Sequence, residues 1–112
     1  MDPRPLALAQ GTFYLAGGLW PILHLRSFEA ITGPKPEGWL VKTVGALVAI
    51  AGGAMISAGA RDRVTPEIAG LAAGSAAALG TIDVVYALRG RISPIYLADA
   101  VIEAALVAAW LL

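Results

Sequence analysis

Residues Arg89–Leu112 read RGRISPIYLADAVIEAALVAAWLL, and from Ser93 onward they have the apolar density of a membrane-spanning helix. Two carboxylates interrupt that density, Asp99 and Glu103, four residues apart. At 100° per residue they fall on nearly one face, with Tyr96 a turn earlier on the same stripe. From Pro94 as helix start, Asp99 stands roughly 8 Å and Glu103 roughly 14 Å along the axis, the latter near the middle of a ~30 Å hydrocarbon core. A carboxyl group at that depth is costly against lipid and must face protein or a water-filled space. The rest of the chain is therefore read for what it brings to that stripe.

Of the 112 residues, 58% are hydrophobic and 14% charged, too few polar groups to cover a water-soluble domain of this size. The apolar residues form four blocks of about spanning length, near Pro5–Leu25, Trp39–Gly59, Pro66–Leu88 and Ser93–Leu112. The expected fold is all-α, one integral membrane domain over residues 1–112 built as a four-transmembrane-helix bundle, with the lipid bilayer as its first partner. Eight basic and eight acidic side chains leave no net charge and no basic face for nucleic acid. Cysteine is absent, which removes disulfides, thiolate metal sites and cysteine nucleophiles. The opening MDPRPLALAQG places an acid and two prolines where a cleavable leader carries basic residues, so the first block reads as a helix that stays.

Within the first block, Gln10 and Thr12 can bond to neighbouring helices, and Gly17-Gly18 before Pro21 signals a kink. RSFEAIT (26–32) can run as an amphipathic helix along the interface until Gly33-Pro34 stops it. Trp39 marks the headgroup level. In the second block Gly45, Ala49 and Gly53 recur every four residues, and in the third Gly70, Gly74 and Ala78 do the same. Such stripes let backbones approach, so these two helices are expected to pack on each other, with a homo-oligomer through the same stripes as the other use. Thr65-Pro66 reads as a helix start, as does Ser93-Pro94.

A faint internal repeat sets LAGGLWPILHLR (15–26) against ALGTIDVVYALR (78–89), and WLVKTV (39–44) against YLADAV (96–101). Two αα-hairpins in parallel orientation follow, and the match places Lys42 level with Asp99, where the two can pair.

The polar residues gather in one half of the bundle. The candidate ligand-binding set is Glu103, Asp99, Asp83, Tyr96, Tyr86, His24, Arg26 and Lys42. In the bland reading Lys42 and Arg26 neutralise Asp83 and Asp99, and the aromatics anchor the interface. Glu103 resists that reading, because no basic residue reaches its depth; it needs a proton, a Tyr or Thr hydroxyl, or a polar cavity. His24, Asp83, Asp99 and Glu103 could in principle surround one ion. The Glu-x-x-His pairs of di-metal bundles are missing, however, and neither a metal nor a cofactor is expected. No serine sits in a Gly-x-Ser-x-Gly elbow, and no reaction is legible.

The stretches SFEAITGPKPEGWLVKTVG (27–45) and RGRISPIYLADAVIE (89–103) carry a resemblance, over nearly the whole chain, to small prokaryotic four-helix integral membrane proteins. That group has no known activity, so the resemblance implies a topology and no chemistry. Small multidrug transporters share the helix number and length, but they carry an essential Glu in the first helix, which this chain lacks. The expected function is a membrane protein whose carboxylate-lined polar cavity binds a small or lipid-like molecule, with a proton as a natural companion. The rival is a structural or accessory subunit whose charges only fix helix packing. Five basic residues flank the two charged loops (Arg26, Lys35, Lys42, Arg89, Arg91) against three on the other side (Arg4, Arg61, Arg63), which puts those loops in the cytoplasm.

Overall fold

The computed structural model describes residues 2–112 and contains five helices: α1 (Pro3–Leu23), α2 (Leu25–Thr32), α3 (Gly38–Ala60), α4 (Pro66–Leu88) and α5 (Tyr96–Leu111). Three of them, α1, α3 and α4, are long and apolar enough to cross a membrane. The 16-residue α5 is shorter than the expected fourth block. Ser93 and Pro94 do not begin it; they form a tight turn in which Tyr96, Leu97 and Ala98 each donate to the carbonyl three residues back. At 1.5 Å per residue α5 is about 24 Å long. The amphipathic segment forms α2, which turns Leu25, Phe28 and Thr32 inward and Arg26 outward.

Packing is strongest within two antiparallel pairs, α1 with α3 and α4 with α5. The first pair is a glycine contact. A methyl group on Gly11 would stand 2.7 Å from the Gly52 carbonyl oxygen, and one on Gly18 would collide with the Gly45 carbonyl oxygen. Two glycines seven residues apart on each helix thus bring the backbones together at two levels. Pro21 stays inside α1, its ring beside Gly45, and the helix ends instead at His24.

This pairing overturns the expected α3–α4 contact. Gly45 and Ala49 do lie on the close-packed face of α3, but that face meets α1. Gly53, Gly70 and Gly74 have open space where a side chain would go. The short Arg61–Thr65 connection keeps α3 and α4 adjacent in sequence without pressing them together.

The interior is small and polar and the exterior aliphatic. Buried positions are mostly Ala and Gly, with Tyr14 and Met55 as the bulky members, and they also include Gln10, Asp83 and Glu103. Leu47, Ile50 and Val101 are each more than 60% exposed at mid-helix. Water does not favour that arrangement; a hydrocarbon solvent does. Polar bonds then join the pairs. Gln10 Nε2 donates to the Ala72 carbonyl at 2.9 Å, and Trp110 Nε1 donates to Gln10 Oε1 at 2.6 Å. Gln10 therefore ties α1 to α4 and α5 at one level. Thr12, expected to act likewise, bonds back within its own helix to the Leu8 carbonyl.

Candidate functional site

One turn beyond Gln10, Tyr14 projects from α1 into the seam between the pairs. Its hydroxyl donates to Glu103 Oε1 at 2.8 Å. Glu103 is 1% exposed, and Gly80 on α4 leaves room for its Cβ, 3.2 Å from where a methyl on Gly80 would stand. The Glu103 carboxyl, expected to need a proton, a Tyr or Thr hydroxyl or a polar cavity, thus has a tyrosine hydroxyl as partner.

Asp83 and Asp99 line one cleft nearer the charged loops. Asp83 is 6% exposed, and its Oδ2 is buried with no hydrogen-bond partner. The charged groups acting on Asp83 are acids, Asp99 first and then Glu103. Lys42 and Arg26 do not neutralise this pair, as both are exposed on the outer surface.

Two open clefts of about 430 and 520 Å³ run along the seam and share Gly17, Phe28, Val48, Leu79, Tyr96 and Asp99. Glu103 lines the first and Asp83 the second. The remaining walls are apolar, with Phe13, Trp20 and Ile102 on one side and Val41, Val44 and Ile82 on the other. At the mouth stands Lys35. Its Nζ donates to the carbonyls of Thr32 (2.8 Å) and Gly33 (2.9 Å) and lies 5.1 Å from the Tyr96 ring centre and 5.9 Å from that of Phe28. Glu29 holds the same residue by its backbone, Lys35 N donating to Oε2 at 3.0 Å, and Gly33 at φ +96° makes the turn that presents it.

Of the eight candidate residues, four converge on the seam: Asp83, Tyr96, Asp99 and Glu103. The other four do not. His24 caps α2, its Nδ1 accepting from the Ser27 amide at 3.1 Å and lying 2.7 Å from Ser27 Oγ. Tyr86 is exposed, with the Arg89 guanidinium 5.9 Å from its ring centre. Arg26 and Lys42 face outward. Sequence reading missed Tyr14 as a site residue, though it shares a face with Gly11 and Gly18 at spacings of three and four. It also treated Lys35 as a loop charge, although prolines on both sides restrict that residue. Among the described residues no group of three or more His, Cys, Asp or Glu is placed to hold a metal ion.

No family model, curated protein or solved structure matches the chain.

Proposed function

We propose that the chain is a multi-pass protein of the cell membrane in which α5, lengthened by its entry turn, crosses as a fourth span. In this reading the seam between the pairs binds a small or lipid-like amphipathic molecule, its apolar part along the clefts and its polar part at the carboxyl groups. The observation that carries it is the Asp83 carboxyl, buried at a cleft wall with one oxygen unpartnered. Buried polar atoms are rarely left so, and in this reading the visiting ligand supplies the missing partner. The resemblance to small four-helix membrane proteins agrees on topology alone. A photo-crosslinking amino acid at Phe13, inside the cleft, should capture a lipid-like adduct in native membranes well above the yield at Leu47, which faces outward. Equal yields at the two positions would remove the binding site.

The charge bias places the α2–α3 and α4–α5 connections in the cytoplasm and both ends outside. With no native cysteine to interfere, Glu37→Cys should resist an impermeant maleimide in intact cells while Asp62→Cys reacts. Labelling of Glu37→Cys from outside inverts the orientation.

The accessory-subunit reading has one observation in its favour. The Gly70, Gly74 and Ala78 stripe of α4 faces outward, with open space beside both glycines, a surface on which another helix can pack closely. Retention of a larger partner or a second copy through purification, together with no adduct at Phe13, would make this the better account.

A further inference from the structure

We propose that the Asp83–Asp99 carboxyl pair is the headgroup subsite of the seam and takes an organic cation, an ammonium or guanidinium carried on an apolar body. The inference rests on the ligand-binding reading above and names the chemistry of the ligand.

Two acids lining one apolar wall cannot both ionise there unless a cation joins them; otherwise one keeps its proton, and a bound cation takes the place of that proton. The basic residue lining this cleft, Lys35, is held at its mouth on the aromatic rim, and the walls around the two acids bring none. Glu103 and Tyr96 come from α5 and Tyr14 from α1, while α3 contributes Leu40, Val41, Val44, Gly45 and Val48 to the cleft. A hard metal ion wants about six to eight oxygen ligands, and two carboxyl groups in a hydrocarbon wall fall short. An organic cation needs fewer, since its carbon body is content against Phe28, Val48, Leu79 and Ile82.

The mouth of the same cleft already seats a cation. Lys35 Nζ sits on the rings of Tyr96 and Phe28, the arrangement that binds ammonium groups in aromatic cages. Two of its hydrogens are spent on the Thr32 and Gly33 carbonyls, which hold it at the rim. An incoming cation passes over this aromatic rim, displaces the lysine from it and reaches Asp83 Oδ2.

The test uses the full chain in phosphatidylglycerol nanodiscs, titrated with benzyltrimethylammonium and with its neutral isostere neopentylbenzene. Binding is followed by tryptophan emission, to which Trp20, in the wall of the adjoining cleft that shares Asp99, Phe28 and Tyr96, contributes. Wild type should bind the ammonium saturably and the isostere at least about tenfold more weakly, as should Asp83→Asn and Asp99→Asn with the ammonium. Lys35→Gln should strengthen ammonium binding by removing the resident rival. Equal binding of both probes would overturn the cation and leave the cleft, as would undiminished binding by both Asn variants. Binding of neither probe would overturn the cation and the ligand-binding reading together. Should an Asn variant fail to fold, the comparison of the two probes on wild type decides. Repeating the titration in phosphatidylethanolamine nanodiscs assigns the source: loss of ammonium binding there means the native occupant is an amine-headed lipid, and unchanged binding means a free amphiphile, the subsite standing in both cases.

Discussion

Gly18→Leu should separate α1 from α3 and destabilise the protein by about 3 kcal/mol or more, the upper end of what overpacking costs. A first side-chain carbon on Gly18 would stand 2.6 Å from the Ala49 amide nitrogen and closer still to the Gly45 carbonyl, both of them backbone atoms that no rotamer change relieves. The helices must move apart along their length, because the Gly11–Gly52 contact seven residues away shares the same axis separation. Gly53→Leu is the control. It adds the same bulk to α3 one residue beyond the contact face, where nothing lies within 4 Å, and should leave the melting temperature in detergent unchanged. Equal melting temperatures for Gly18→Leu and wild type would mean that α1 and α3 do not meet through these glycines.

The second large effect lies at Tyr14 and Glu103. Tyr14→Phe removes the hydroxyl from a carboxyl that is 1% exposed and should cost about 1–3 kcal/mol, the penalty for a buried polar group left alone. Glu103→Gln keeps an acceptor for the tyrosine and should be much milder. The informative variant is the double one. With Tyr14→Phe and Glu103→Leu together neither partner is left behind, so the protein should be more stable than with Tyr14→Phe alone. Strict additivity of the two changes would mean that the 2.8 Å bond is not formed in the membrane. Glu103→Leu should also lower the cross-linking yield at Phe13 if the carboxyl anchors the ligand. A stable Glu103→Leu protein with undiminished yield would take Glu103 out of the site.

The helices were legible because apolar blocks and Pro-Gly breaks are local signals. The third block, Pro66–Leu88, has the observed bounds of α4, fixed at one end by Thr65-Pro66. That Glu103 turns inward was legible too, since a carboxyl in an apolar block must face protein. Helix partners were not. A glycine every fourth residue says that a helix owns a close-packing face and leaves the partner unnamed, so the stripes of α3 and α4 were matched to each other although the α4 stripe points outward. A better signal was present in the equal seven-residue spacing of Gly11–Gly18 and Gly45–Gly52, which fits an antiparallel contact at two levels. The fate of the charges was also beyond one-dimensional reasoning. The repeat set Lys42 level with Asp99, but a matched level leaves rotation about the helix axis free, and α3 turns Lys42 outward. Lys35 reached the cleft through a backbone turn at Gly33 that spacing alone does not reveal.

The Gln10 and Tyr14 bonds also set an order of events at the ribosome. The halves of the glycine seam lie close in the chain and can close as soon as α3 has been made. Gln10 waits 62 residues for the Ala72 carbonyl and 100 for Trp110, and Tyr14 waits 89 for Glu103. Until α5 has been made the first hairpin is therefore complete in shape but carries open polar sockets: the Ala72 carbonyl of α4 meets half of Gln10, and α5 completes Gln10 and meets Tyr14.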